Sequence, residues 1–556
     1  MYFFEGNRLW RSNCASALIA AMIPVAGHAQ PAPAPAAETV AAPDLFTINA
    51  IDVNGVTVLP AAVVERAIYP FLGPDRSSND VEAARQAVQD AYAAAGYESV
   101  QVDIPPQPSQ AFARGLVALN VTEAAIGAVR VTGAEHHSSR VVREQFASIQ
   151  PGEPLNLRAL QSDLAAANRF PDREVTPSFL PAAEPGKIDV ELNVNSSLPV
   201  HASLELNNDH SPSTEPLRAI GSVRYTDMWS LGHTLSGSWI VAPQNTSQTK
   251  VFSAAYSAPL LGTPWTLVVF GYNSNSDIAA LGGSNVLGNG YQVGVRASYL
   301  LPTQSSQQTF SFGFDYKNFD QSIFVGGVSA GKAPIEYMPF AASYSLASAT
   351  ENSTLDLTIS TTVGLRVFKK LGCFAADPTV PPQDCPIVDQ FRNRDLDAVE
   401  NFSHVNLDAT YNRSLPGDFV AAFRLSAQLA DSHLVTNEQF AAGGLTSVRG
   451  YLQSEAVGDN GLVTSLELRL PSLAPYLPDV IDELRLFGFV DTGRIHVLRT
   501  LPEQTADFRL LGVGGGARIR VLDTFTGELV FGVPLRQGPA STARDVRTMF
   551  TTVGAF

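Results

Sequence analysis

From about Pro199 to Phe556 apolar and polar residues alternate with a period of two almost everywhere. Tyr291, Val293, Val295, Ala297 and Tyr299 alternate with Gln292, Gly294, Arg296 and Ser298, and Phe310, Phe312, Phe314 and Tyr316 with Ser311, Gly313, Asp315 and Lys317. Such runs predict strands with one lipid-compatible face and one wet face. In the run from Leu462 to Leu470 the wet face carries Ser465, Glu467 and Arg469, charges that water in a lumen can solvate. About sixteen runs begin near Ala202, Leu217, His233, Lys250, Trp265, Tyr291, Thr309, Ile335, Thr354, Ser403, Phe419, Leu462, Glu483, Arg509, Gly527 and Asp545. At about 22 residues per strand and connection this suits an antiparallel barrel, with its long connections, 275–288, 318–332, 366–402 and 431–460, all on one side. A soluble β-sandwich would bury the same apolar face, so alternation alone leaves both architectures open.

Before residue 199 the period changes. FTINAIDVNG reads as a strand, the stretch opened by Pro60 as a helix, NDVEAARQAVQDAYAAAGY as a helix with Asp80 near its start, and SVQVDIPPQ with GLVALNVTEA as a hairpin. The same order returns from Ala125: AIGAVRVTG, SSRVVREQFASI, NLRALQSDLAAANRF, VTPSFLPA and KIDVELNVN. Two tandem units of about 75 residues are more telling than either alone. They resemble the POTRA domain, a periplasmic module of outer-membrane assembly and secretion proteins; by pattern alone, two generic α+β domains remain possible. The expected domains are POTRA 1 over 45–124, POTRA 2 over 125–198 and a barrel over 199–556.

The first 29 residues read as a signal peptide: Arg8 and Arg11 precede an apolar core from Ala15 to Ala26, and Gly27 and Ala29 stand at the cleavage positions. Residues 30–44 form a Pro/Ala linker, too short for a helix across a membrane, so no pore-threading helix is expected. With that address, the strand count and the aromatic end at Phe556, the period-two region is read as an outer-membrane barrel. Its last strand, with Val546, Thr548, Phe550 and Thr552 on one parity, looks like the C-terminal signal read by the barrel assembly machinery. Cys373 and Cys385 enclose a Pro-rich loop bound for an oxidising compartment, which suits a disulfide; two cysteines are too few for a metal site. A formal charge of −16, from 37 basic and 53 acidic residues, argues against a nucleic-acid partner.

One stretch, GGLTSVRGYLQSEAVGDNG from Gly443 to Gly461, breaks the alternation and suits a long loop folded into a confined polar space. It carries the specific resemblance: the Val448-Arg449-Gly450-Tyr451 tetrad and Gly458-Asp459-Asn460-Gly461, together with Phe489-Val490-Asp491-Thr492-Gly493, are similar to the sixth extracellular loop and the Phe-x-Asp-x-Gly strand of the Omp85 superfamily, in its two-partner secretion branch. That resemblance implies that loop 431–460 folds back into the barrel and that Arg449 meets Asp491. Parity agrees, since Leu484, Leu486 and Val490 take the lipid face and leave Phe487, Phe489 and Asp491 to the lumen. Gly443, Gly444, Gly450 and Gly461 would permit tight turns and close wall approach, and Tyr451 would pack on the wall. In a wet pore the ion pair is expected to stay partly hydrated and to part at moderate cost, as a latch requires.

Catalytic look-alikes lack their settings. Gly327-Val328-Ser329-Ala330-Gly331 matches a nucleophile elbow and Gly326 to Lys332 nearly a P-loop, yet Lys332 is followed by Ala333 instead of Ser or Thr, and APIEYMP cannot start the helix that both need. Gly512 to Gly516 lies inside an alternating strand, and His136-His137 belongs to no HExxH pattern. The resemblance implies a non-enzymatic, monomeric transporter without cofactor that recognises an unfolded exoprotein, of adhesin or haemolysin type, and passes it through the outer membrane. An assembly factor inserting other barrels is the alternative, and a solute porin leaves the N-terminal repeats unexplained.

Overall fold

The computed structural model describes residues 45–168, 172–212, 214–260, 262–281, 284–301, 303, 306–320, 322–325, 328–367, 371–373, 387–395, 397–500 and 504–556. The signal peptide, the linker and the question of a pore-threading helix therefore lie outside the described residues, as does Cys385. The chain divides into two compact units between Ser196 and Ser197.

The N-terminal unit contains two α+β modules. In the first, Ala50–Asn54 runs parallel to Leu116–Thr122, which pairs on its other side with Gln101–Asp103. In the second, Ala125–Thr132 runs parallel to Lys187–Ser196, which pairs antiparallel with Arg173–Pro181. Helix Ser78–Ala94 starts where Ser77 and Asp80 form a capping box, and its buried Val81, Ala84, Val88 and Tyr92 fall on one stripe. In the second module Asn156 caps Leu157–Ala167 by accepting from the Ala159 amide at 3.0 Å. The repeat is visible at one backbone position. Gly55 and Gly133 each follow the first sheet strand of their module with φ of +88° and +74°. A Cβ there would lie 2.3 Å from the carbonyl oxygen of Val121 or Val194, so only glycine fits both the φ and the space.

The C-terminal unit is a closed antiparallel barrel, with Val200–Asn207 pairing with Arg547–Ala555 to complete the ring. Its ring of seventeen segments is sixteen strands, because Ile335–Tyr337 and Phe340–Thr350 both pair with Ser306–Asp320. The interruption falls at Pro339, which has no amide hydrogen to give the ladder. Trp239, Phe252, Phe312, Leu466 and Val490 are exposed on the outer face, while Ser238, Asp315, Glu467 and Asp491 on the opposite parity are buried within.

Two connections expected to be long loops are ladders instead. Trp265–Leu281 and Ser284–Leu301 remain paired out to Leu281↔Ser284, inside the expected loop 275–288. Similarly, Ser322–Val325 pairs with Val328–Lys332 inside the expected loop 318–332. Beyond the bilayer both faces of a hairpin meet water, so Asn-, Ser- and Gly-rich strands lose the alternation that marks them within it.

Candidate functional site

The connection between the eleventh strand, Phe419–Ala430, and the twelfth, Asn460–Arg469, turns into the lumen. Phe440–Ala442 pairs antiparallel with Ala456–Gly458, making a short hairpin whose tip is 443–455. Gly443, Gly444 and Gly450 hold φ of +113°, +102° and +97°, which fold this tip back on itself. At Gly461 a Cβ would collide with the Phe440 ring, and at Gly458 with Ile495 and His496. Gly493 faces the Val448 side chain.

At the tip Arg449 is 6% exposed and Asp491 not at all. The guanidinium grips the carboxylate with two parallel bonds, Nε to Oδ2 at 2.8 Å and Nη2 to Oδ1 at 2.9 Å, and the Arg449 amide adds a third at 3.0 Å. Nη1 donates to Glu467 Oε2 at 2.5 Å and Nη2 to Ser465 Oγ at 3.1 Å. The plane stacks on Phe489, its central carbon 3.6 Å from the ring centroid. Tyr451, fully buried, donates its hydroxyl to the Arg536 carbonyl at 2.9 Å and accepts from the Leu511 amide at 3.1 Å. Val448 packs with Val463, Ile495 and Leu510.

This geometry corrects one expectation: the Arg449 and Asp491 pair is not left hydrated by the pore. The apolar residues beside Val448 and the Phe489 ring exclude water, so the pair is a buried one with strong mutual dependence. Sequence reasoning also did not single out Glu467, which neighbours Phe489 in the ladder, or Ser465, which neighbours Asp491. Parity had put both on the lumen face; the cross-strand register that brings them to the same arginine was not readable. Glu455 was likewise not singled out. It accepts from the Leu452 amide at 2.8 Å and from the Ala540 and Ser541 amides at 2.9 and 2.7 Å, tying the tip to the last outer turn. On the other side the tip reaches the first outer turn, where Asp209 accepts from the Leu445 amide at 3.2 Å.

Asp459, at the hairpin's return, is fully buried and accepts from the amides of Leu434 and Leu498 at 2.8 and 2.6 Å. His433 Nδ1 lies 2.9 Å from Asp459 and Nε2 3.0 Å from Asp395. The hydrogen bond to Asp395, then that to Asp459, raises the imidazole to about 10 despite its burial. A pKa raised on folding contributes stability in full below the ordinary value of about 6.5, and this contribution is lost as pH rises through about 10. We therefore expect His433→Gln to lower the temperature at which the barrel loses its folded gel mobility at neutral pH. The gap to wild type should close above about pH 10; a gap independent of pH would refute the charged imidazole.

Among the described residues, no cluster of three or more His, Cys, Asp or Glu side chains is placed to hold a metal. Cys373 lies in the strand Leu371–Cys373, and the disulfide expected with Cys385 falls outside the described residues. Ser329 lies in the hairpin strand Val328–Lys332, not on a strand-to-helix turn.

Fold and site together define an outer-membrane β-barrel, preceded by POTRA-type architecture, whose lumen receives its own arginine-tipped loop. The family model described as haemolysin secretion/activation protein ShlB/FhaC/HecB matches residues 186–519, and that of the POTRA domain, ShlB-type, matches residues 46–124. The chain belongs to this family, the outer-membrane transporters of two-partner secretion. Its POTRA architecture lies in the periplasm, as in the family. The outer membrane transporter CdiB of Escherichia coli is 24% identical over 467 residues, covering 81% of this chain and 73% of that protein. CdiB of Dickeya dadantii is 22% identical over 466 residues, covering 81% and 76%. Among solved structures, CdiB from Escherichia coli aligns with a TM-score of 0.61 at 20% identity, covering 94% of this chain and 93% of that one. BamA from Haemophilus ducreyi lacking POTRA domains 1–3 aligns at 0.54 and 12% identity, covering 92% and 100%, a likeness of fold.

Proposed function

We propose that this transporter exports one large exoprotein of adhesin or haemolysin type, captured unfolded in the periplasm and passed outward through the barrel. The carrying observation is the loop 431–459, held inside the lumen by Arg449 while both its ends remain tied to barrel strands: a built-in plug that a client can displace. Both N-terminal modules act as POTRA units in this reading. Each has a three-stranded sheet whose outer strands, Ala50–Asn54 and Gln101–Asp103 in one and Ala125–Thr132 and Arg173–Pro181 in the other, are candidates for pairing with an extended client segment. No nucleotide is at hand in the periplasm, so folding of the client outside supplies direction.

Deleting the gene and assaying culture medium and outer membrane separates the readings. Selective loss of one large exoprotein from the medium is the expected result. A general loss of barrel proteins from the membrane would instead favour an assembly factor, and unchanged fractions of both would overturn export.

A further inference from the structure

A second cluster of buried charge lies away from the tip, at the root of the same loop. Glu438, in the turn Thr436–Glu438, is 7% exposed and takes Lys317 Nζ at 2.6 Å, the Tyr337 hydroxyl at 2.5 Å and His404 Nε2 at 3.4 Å. These partners come from the seventh, eighth and tenth strands, on the wall away from Asp491. Gln428 Nε2 donates to the Glu438 and Asp459 carbonyls, both at 3.0 Å, closing the root from below.

The root is also covered by the end of a neighbouring connection, the one between the ninth strand Ser353–Val363 and the tenth, Ser403–Leu415. Its helix Gln390–Arg394 is fixed to the eighth strand by the Gln390 side chain, which accepts from the Glu336 amide at 2.9 Å and donates to the Glu336 carbonyl at 2.7 Å. Fully or nearly fully buried Phe391 and Phe402 pack around Tyr337 and join Leu434 and Val435 of the root in one apolar cluster. Arg394 donates to Asn437 Oδ1 at 2.8 Å, and Asp395 holds His433. The covering segment thus touches the root through apolar packing, a hydrogen bond and an ion pair.

We infer that residues 390–395 and 397–402 form an autoinhibitory cap that locks the plug loop at its root, independently of the Arg449 latch at its tip. The inference rests on reading 431–459 as a plug, but needs no client. Removing the tip latch alone leaves the root closed, because Glu438 and the cap stay engaged with the opposite wall. Displacing the cap frees the root, so the plug leaves the lumen only when both holds are broken. The cap belongs to an outward connection and is therefore the hold that an event outside the cell would act on.

Accessibility of Val435, 1% exposed beneath the cap, tests this in the full-length transporter in liposomes. A Val435→Cys reporter is labelled from outside with a membrane-impermeant maleimide, with the reporter-free chain as the background for native cysteines. Asp395→Asn, at a partly exposed position, and Glu438→Gln should each raise the labelling rate on the order of tenfold, as loss of a charge partner to a buried group predicts. Arg449→Ala should leave it near the starting rate. Slow labelling in both Asp395→Asn and Glu438→Gln, or equally fast labelling in Arg449→Ala, would overturn an independent root lock. If labelling behaves as expected while export of every exoprotein is unimpaired by gene deletion, the cap stands and the export reading fails.

Discussion

Arg449→Ala is expected to raise the ion conductance of the resting pore and to cut export roughly tenfold or more while the barrel still inserts. Removing the guanidinium leaves Asp491 without its charge partner in a site from which water is excluded, while Glu467 keeps Arg469 at 2.8 Å, and breaking one side of a buried pair costs about 3–5 kcal/mol. Loss of the stack on Phe489 adds about 2 kcal/mol for a desolvated cation on a ring. The docked tip then no longer outcompetes undocked arrangements. Its two ends stay anchored in the eleventh and twelfth strands, so the tip is not expelled: it wanders in the lumen, leaking ions and obstructing the client. Arg449→Lys should rescue little, because an ammonium cannot bridge both Asp491 oxygens and lie flat on the ring. Single-channel recording and an export assay on the same variant check this. An Arg449→Ala protein that inserts normally, conducts as wild type and exports at full rate would sink the latch.

How far the sequence reaches can be seen from where that site was and was not foreseen. Sixteen strands follow from a local signal, alternation at period two, which each strand carries on its own. Arg449 and Asp491 could be paired because each sits in a motif, and because parity sends Asp491 to the same face as Phe489. Parity put Glu467 in the lumen, but its role escaped notice because that role depends on register with a neighbouring strand, a non-local quantity that a two-residue slip would alter without changing the pattern. The hydration of the pair was misjudged for a related reason: Val463, Ile495 and Leu510, which help dry the site, lie on three successive strands and meet only through the register between them. The outer hairpins were hidden because water on both faces removes the contrast on which a strand is recognised. Likewise nothing local marks Glu438 as buried; its three partners come from positions 317, 337 and 404.

The latch also depends on a residue with no side chain. Gly512 lies in the fourteenth strand, Asp507–Val521, beside the docked tip, and a Cβ there would fall 2.1 Å from the carbonyl oxygen of Arg449. The obstruction is backbone against the wall, so no rotamer change relieves it. Gly512 pairs with Asp491 on one side and Pro534 on the other, and the strand cannot retreat without breaking two ladders. The tip must instead withdraw by about 1 Å or more, beyond the tolerance of a bidentate contact. Gly512→Ala is therefore expected to reproduce the conductance and export defects of Arg449→Ala although it removes no charge and no hydrogen bond. The double variant should be scarcely worse than either single one, since both act by undocking the same tip. Full additivity would mean that Gly512 serves the wall alone, and wild-type conductance in Gly512→Ala would mean that the tip reaches Asp491 by another route.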